Sequence, residues 1–89
     1  MKKLPKNLQS YAQTSLFTEK TIPQKILENH TTKAGSWALI ILKSGKLEYI
    51  IENAETLILS PNKVGVIEPT VPHRVKPIGK VSFYVEFYK

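Results

Sequence analysis

The chain has 89 residues, a formal net charge of +6 and no cysteine. A chain of this length forms one domain, which buries only about 60–65% of the surface that its unfolded form exposes. The absence of cysteine excludes disulfides, thiolate zinc sites and a cysteine nucleophile, and it fits a reducing cytoplasm.

The positive charge does not indicate a nucleic-acid surface. The lysines are spread along the chain, mostly at predicted turns, and Arg74 is the single arginine. No helix-turn-helix, zinc-finger or RNP-type motif is present, so the lysines are interpreted as solubilising charges. The basic amino terminus has no apolar run behind it, and the longest apolar run, residues 37–42, is too short to span a bilayer. We therefore expect a cytoplasmic protein that contacts neither nucleic acid nor membrane.

The first third of the chain has weak secondary-structure signals. Residues 1–10 are polar and predict an extended N-terminal arm. Residues 11–17 predict a first strand, and 18–20 a turn. Residues 23–29 begin with a proline and fit either one helical turn or a short strand; the sequence leaves both open.

The remainder predicts a succession of short strands separated by turns. The most apolar strand, 37–42, is followed by a turn at 43–46 and a return strand at 47–51, which together predict a β-hairpin. The further predicted strands are 56–59, 64–67, 73–76 and 81–88, with a turn at 77–80. Turns every eight to twelve residues predict an all-β fold, and no linker divides it, so residues 1–89 are expected to form a single domain.

One connector directs a histidine. Pro69 and Pro72 lie three residues apart, and they exclude a helix interior or a central strand between residues 64–67 and His73. A stiff connector of this kind fixes the direction of the first side chain after it, which is the imidazole of His73.

The order of a glycine (Gly65), a proline-rich turn and His73 resembles the second motif of the cupin fold, a small jelly-roll barrel. The first cupin motif normally carries His-x-His followed by Glu. Here His30 stands alone, with Thr32 where a second histidine is usual and Ala38 about where the glutamate is usual. Ordinary three-histidine metal ligation is therefore not expected.

A narrower family matches more of the chain. Residues 30–37, 68–73 and 83–88, with Lys3-Leu4-Pro5 near the start, resemble the TehB/YeaR-like family of small cupin-like domains. The resemblance implies a role in tellurite resistance or in oxidative and nitrosative stress. Some relatives carry a methyltransferase behind this domain; 89 residues are too few to hold that part as well, and no glycine-rich strand-to-helix motif is present.

The two histidines are the candidate metal ligands. The jelly roll that the resemblance implies would bring together the strands that carry His30 and His73 at their mouths. Two imidazoles and one carboxylate can there hold a divalent ion such as zinc, iron or nickel. Glu86 is the preferred carboxylate, with Glu48 and Glu68 as alternatives. In the last strand Glu86 and Tyr84 share one face, and the sequence does not tell which face points inward.

Further side chains are candidates for a ligand pocket. Lys33 is suited to an anionic ligand, although a solvated lysine is the ordinary alternative. Trp37 fits either the core or a ligand platform, and Tyr84 either a pocket or an exposed aromatic strip. The predicted pocket residues are Lys33, Trp37, Glu48 and Tyr84, and the expected ligand is a small molecule or an oxyanion.

The favoured interpretation is a binding module without catalytic activity of its own, which binds a metal ion or a small anion. The alternative is a metal-dependent oxygenase or isomerase with a two-histidine, one-glutamate site. A third hypothesis is an interaction subunit whose aromatic last strand pairs with a partner. Because exposed strand edges favour pairing between copies, a homodimer is expected.

Overall fold

The computed structural model describes residues 1–89 and contains six strands and one short helix. In chain order the elements are β1 (Ser10–Gln13), β2 (Phe17–Thr18), α1 (Gln24–Leu27), β3 (Trp37–Ile51), β4 (Thr56–Leu59), β5 (Gly65–Ile67) and β6 (His73–Tyr88). The predicted all-β single domain is confirmed. No helix is long and apolar enough to cross a membrane.

All strands belong to one antiparallel sheet. The order across it is β1-β6-β3-β4, with β2 pairing the middle of β6 and β5 pairing the first half of β3. The path is open at both ends and does not close on itself. Two long strands, β3 and β6, therefore form the centre of the molecule, and the short strands pair with their outer sides.

The predicted hairpin over 37–51 is wrong. Residues 37–51 form one continuous strand that pairs with β6 from Trp37↔Tyr88 to Ile51↔His73. Register shifts occur between Leu42 and Ser44 and between Gly45 and Lys46, so the segment predicted as a turn is a bulge in a long strand. Gly45 has a φ of 81°, and a Cβ there would overlap the carbonyl oxygen of Lys80. The predicted turn at 77–80 likewise lies inside β6.

The smaller elements agree better with the sequence. The strand predicted at 56–59 is β4, and the strand predicted at 64–67 is β5, one residue shorter. The first predicted strand is divided into β1 and β2. The segment after Pro23 takes the helical alternative as α1, whose half-buried Ile26 and Leu27 pack on the core.

The inner face of the sheet forms the core. Strand alternation puts Ala38, Ile40 and Leu42 of β3 on this face, while Phe83 and Val85 of β6 join them from the neighbouring strand. Tyr49 is 1% exposed, and its hydroxyl donates a hydrogen bond of 2.8 Å to the carbonyl of Val66. Burial raises the pKa of the Tyr49 phenol, so it stays protonated as the donor.

Candidate functional site

His30 and His73 lie side by side at the start of β6. Their backbones form an isolated bridge with two hydrogen bonds, His30 N–H to the His73 carbonyl at 2.9 Å and the reverse at 3.0 Å. Their rings follow the backbone, with centroids 4.1 Å apart. The structure therefore brings His30 and His73 together, as predicted.

The hydrogen bonds of the rings place a proton on each Nδ1. Nδ1 of His73 lies 2.9 Å from the carbonyl oxygen of Val71, and Nδ1 of His30 lies 3.1 Å from that of Glu28. A carbonyl only accepts, so each Nδ1 carries a proton, and in the neutral form of such a ring the lone pair is on Nε2. Metal-binding histidines are commonly oriented by this kind of Nδ1–H contact.

Nε2 of His73 is the unusual atom of the molecule. The His73 side chain is 1% exposed, and its Nε2 is buried without a hydrogen-bond partner. Burial, together with the neighbouring His30, holds the pKa of His73 below its usual value, although the bond to Val71 acts in the opposite direction. The ring is therefore neutral near pH 7 and presents a lone pair with nothing to accept.

The connector before β6 explains the direction of this ring. It turns at Pro69 and Thr70, where Thr70 has a φ of 65°, a region that β-branched residues rarely occupy. The Thr70 N–H donates to the carbonyl of Thr32 at 3.1 Å. The hydroxyl of Thr32 bonds the Ser36 carbonyl at 2.9 Å. These bonds tie the connector to residues 30–36, so both histidines are fixed by one network.

A cavity of about 370 Å³ opens beside the two imidazoles. Its floor is the inner face of the sheet and is apolar. Residues 30–36 form a polar wall, which includes Lys33. The floor residues are Ile40, Ile67, Val75, Phe83, Val85 and Phe87.

Tyr11 covers part of the cavity. Ser10 pairs with Tyr88 and Ala12 with Phe87, so Tyr11 is the extra residue of a β-bulge at the edge of the sheet. Bulges redirect side chains, and here the Tyr11 ring lines the cavity while its hydroxyl lies 2.6 Å from the Ser36 hydroxyl. The ammonium of Lys89 lies over the Tyr11 ring, 4.6 Å from its centroid, in a cation–π contact.

The other candidate residues are not in this site. Glu86 and Tyr84 alternate with the buried Phe83 and Val85, so they lie on the outer face of β6. The Glu86 carboxylate instead accepts a hydrogen bond of 2.7 Å from the Ser10 hydroxyl. Trp37 and Glu48 lie on the outer face of β3, opposite Tyr88 and Lys76 respectively. Of the predicted residues, only His30, His73 and Lys33 line the cavity.

No three His, Asp or Glu side chains converge, so the protein alone does not form a two-histidine, one-glutamate triad. The sequence interpretation also omitted Tyr11 and Ser36. Ser36 precedes the most apolar strand by one residue, and alternation from Ala38 would have placed it on the inner face. Tyr11 carries no such signal, because a bulge changes the alternation.

The architecture defines a class, a small open-sheet β domain with a histidine-lined cavity. The sequence model of the TehB-like domain matches residues 12–85, and the chain belongs to this TehB-like family. Two Haemophilus influenzae proteins, each described as probable S-adenosyl-L-methionine-dependent methyltransferase TehB, are 31% and 29% identical to it over 75 residues. The alignments cover 78% of this chain and 26% of each relative, so the chain spans about a quarter of their length.

Solved structures agree with this assignment. TehB from Haemophilus influenzae has a TM-score of 0.84 at 30% identity, over 91% of this chain and 31% of that one. A protein from E. coli strain K12 has a TM-score of 0.91 at 18% identity, over 100% of this chain and 97% of that one. This second likeness concerns the fold alone.

Proposed function

We propose that this TehB-like domain is a binding module that holds a divalent metal ion at His30 and His73. The observation that carries the proposal is the buried Nε2 of His73, which has no hydrogen-bond partner in the protein and belongs to a residue that lines the cavity. A buried polar atom without a partner destabilises the fold by about 1–3 kcal/mol, and a bound ion removes that cost.

The chemistry of the two rings supports a metal. Imidazole nitrogen is a good ligand for zinc, iron and nickel, and both rings are already oriented through Nδ1. Two ligands leave several coordination positions open to water or a small anion. Lys33 on the cavity wall supplies a positive charge for such an anion.

The relatives suggest a setting. They are described as methyltransferases, and this chain corresponds to about a quarter of each. We infer that the domain acts in tellurite or stress response as a sensing or delivery module, with the chemistry performed elsewhere. The enzyme alternative needs a third protein ligand, and Glu86 lies on the other face of β6.

Metal content tests the proposal. The protein is purified without an affinity tag, loaded anaerobically with zinc, iron or nickel, and analysed for bound elements. We expect one ion per chain in the parent and in Glu86→Gln, and loss of the ion in His30→Gln and His73→Gln. An empty parent after loading, or an ion that survives His73→Gln, would exclude this site.

A further inference from the structure

The cavity is much larger than a metal ion requires. Its volume of about 370 Å³ lies within the range of small-molecule sites, roughly 300–1,000 Å³. An ion bound at the imidazoles with a few waters would leave the greater part of this volume, above the sheet floor, without an occupant. The site therefore has room for an organic ligand.

The lining is divided between two surfaces of different chemistry. The sheet contributes hydrocarbon from β3, β5 and β6, including the rings of Phe83 and Phe87. The wall at 30–36 contributes Lys33, hydroxyl groups and the imidazole of His30, and His73 adds a second imidazole from the start of β6. Apolar surface favours a ligand body that leaves water, and the wall favours a polar head.

The wall selects the charge of that head. Lys33 is the single cationic side chain that lines the cavity, and Ser36 and Tyr11 contribute hydroxyl groups. Arg74 pairs with Ile50 on the outer face, so no guanidinium is available for a phosphate dianion. One ammonium with hydroxyl donors suits a monoanion such as a carboxylate.

We propose that the cavity binds a small organic carboxylic acid, with an aromatic or branched aliphatic body on the sheet floor and its carboxylate directed to the wall at 30–36. The inference goes beyond the proposed function, because Lys33, and not the metal, supplies the charge for the carboxylate. The organic ligand and the ion can therefore be tested separately. Tyr11, redirected by the bulge, is a further lining residue.

Calorimetric titration of zinc-loaded and EDTA-treated protein tests this ligand class. The probes are benzoate and 3-methylbutanoate, with acetate lacking the body, benzamide lacking the charge, and nitrite and tellurite as inorganic anions. We expect the first two to bind about ten-fold or more tightly than acetate, because affinity rises with the apolar area buried. Benzamide and the inorganic anions should be weaker than benzoate.

Three variants locate the binding. Lys33→Gln should weaken benzoate and keep the metal, while Lys43→Gln, whose lysine lies over the outer Tyr84 ring, should change neither. Val85→Phe fills the floor and should abolish benzoate binding; if it does not fold, Phe87→Trp at a half-buried position replaces it.

Two results would overturn the inference: acetate or an inorganic anion binding as tightly as benzoate, or benzoate binding unchanged by both Lys33→Gln and the floor variant. The outcomes separate the two proposals. If the protein binds metal but not benzoate, the metal-binding proposal stands and the carboxylic-acid proposal is wrong. If benzoate binds in a Lys33-dependent way but no metal binds, the carboxylic-acid proposal stands and the metal-binding proposal is wrong.

Discussion

His73 couples its own protonation to folding. Its pKa is lowered in the folded protein by burial, whereas the unfolded chain has the ordinary value of about 6.5. Above that value both states are neutral at this residue. Below it the unfolded state takes up a proton first, so the free energy of unfolding falls with falling pH until the folded pKa is reached.

This gives a pH prediction for the metal-free protein. Urea unfolding in EDTA should show stability that is level above pH about 6.5 and declines toward pH 5. His73→Gln, which cannot titrate, should show a smaller decline over the same interval, whatever its absolute stability. Parallel curves for the parent and the variant would contradict the assignment of a neutral, buried imidazole.

The contact between Tyr11 and Ser36 gives a second prediction at this scale. Their hydroxyls lie 2.6 Å apart, with Ser36 8% exposed. Tyr11→Phe and Ser36→Ala should each destabilise the protein, and a double-mutant cycle should give a coupling of about 0.5–1.5 kcal/mol. Tyr11→Phe with Ser44→Ala is the matched control and should be additive, because the Ser44 hydroxyl bonds that of Ser82, away from Tyr11 in the sheet. Additivity in the Tyr11–Ser36 cycle would mean that the contact between the two hydroxyls does not contribute to stability.

At the scale of elements, Gly65 is a packing position. Its φ is not positive, but a Cβ there would lie 2.7 Å from Leu59 Cδ1, 3.2 Å from Tyr49 and 3.3 Å from Ile40. Gly65→Ala should therefore destabilise the domain by about 1–3 kcal/mol in chemical unfolding. Adding Leu59→Val, which removes the nearest methyl group, should recover part of that loss. If Gly65→Ala alone is neutral, the β5–β4 contact is looser than the structure has it.

The elements also show what the sequence could predict. Strands such as β4 and β5 carry β-branched residues between turn residues, and they were predicted closely. The bulge at Gly45 was predicted as a turn, because a glycine with positive φ is typical of both a tight turn and a bulge. What distinguishes them is the pairing of β3 with β6 along its whole length, a long-range contact that local patterns do not contain.

In the site as well, local sequence patterns predict some features, and others depend on long-range contacts. The connector indicates the direction of the His73 ring, but the histidine pair is predicted only with the jelly-roll fold that the resemblance implies, because His30 and His73 are distant in sequence. Alternation puts Glu86 and Tyr84 on one face of the last strand but does not tell which face is buried, so the prediction of Glu86 as a ligand had no support from the pattern. The floor of the cavity could not be predicted from local patterns, because it is formed by residues of β3, β5 and β6 that only the complete sheet brings onto one face.

At the scale of the whole molecule, the cavity occupies space that a small domain would otherwise use for packing. A chain of 89 residues has a limited core, so an occupant that binds only the folded state should have a large effect on stability. Zinc at about one hundred times its Kd adds about 2.7 kcal/mol. For a domain of this size that corresponds to a rise in Tm of roughly 10–20 °C.

Thermal unfolding with and without zinc therefore tests the metal proposal at the level of the whole domain. We expect the rise in the parent and in Glu86→Gln, whose carboxylate lies on the outer face, and no rise in His73→Gln. The EDTA-treated parent sets the baseline, and magnesium, which prefers oxygen ligands, should leave it unchanged. A rise of equal size in His73→Gln would place the ion elsewhere, and loss of the rise in Glu86→Gln would mean that the outer face takes part in binding.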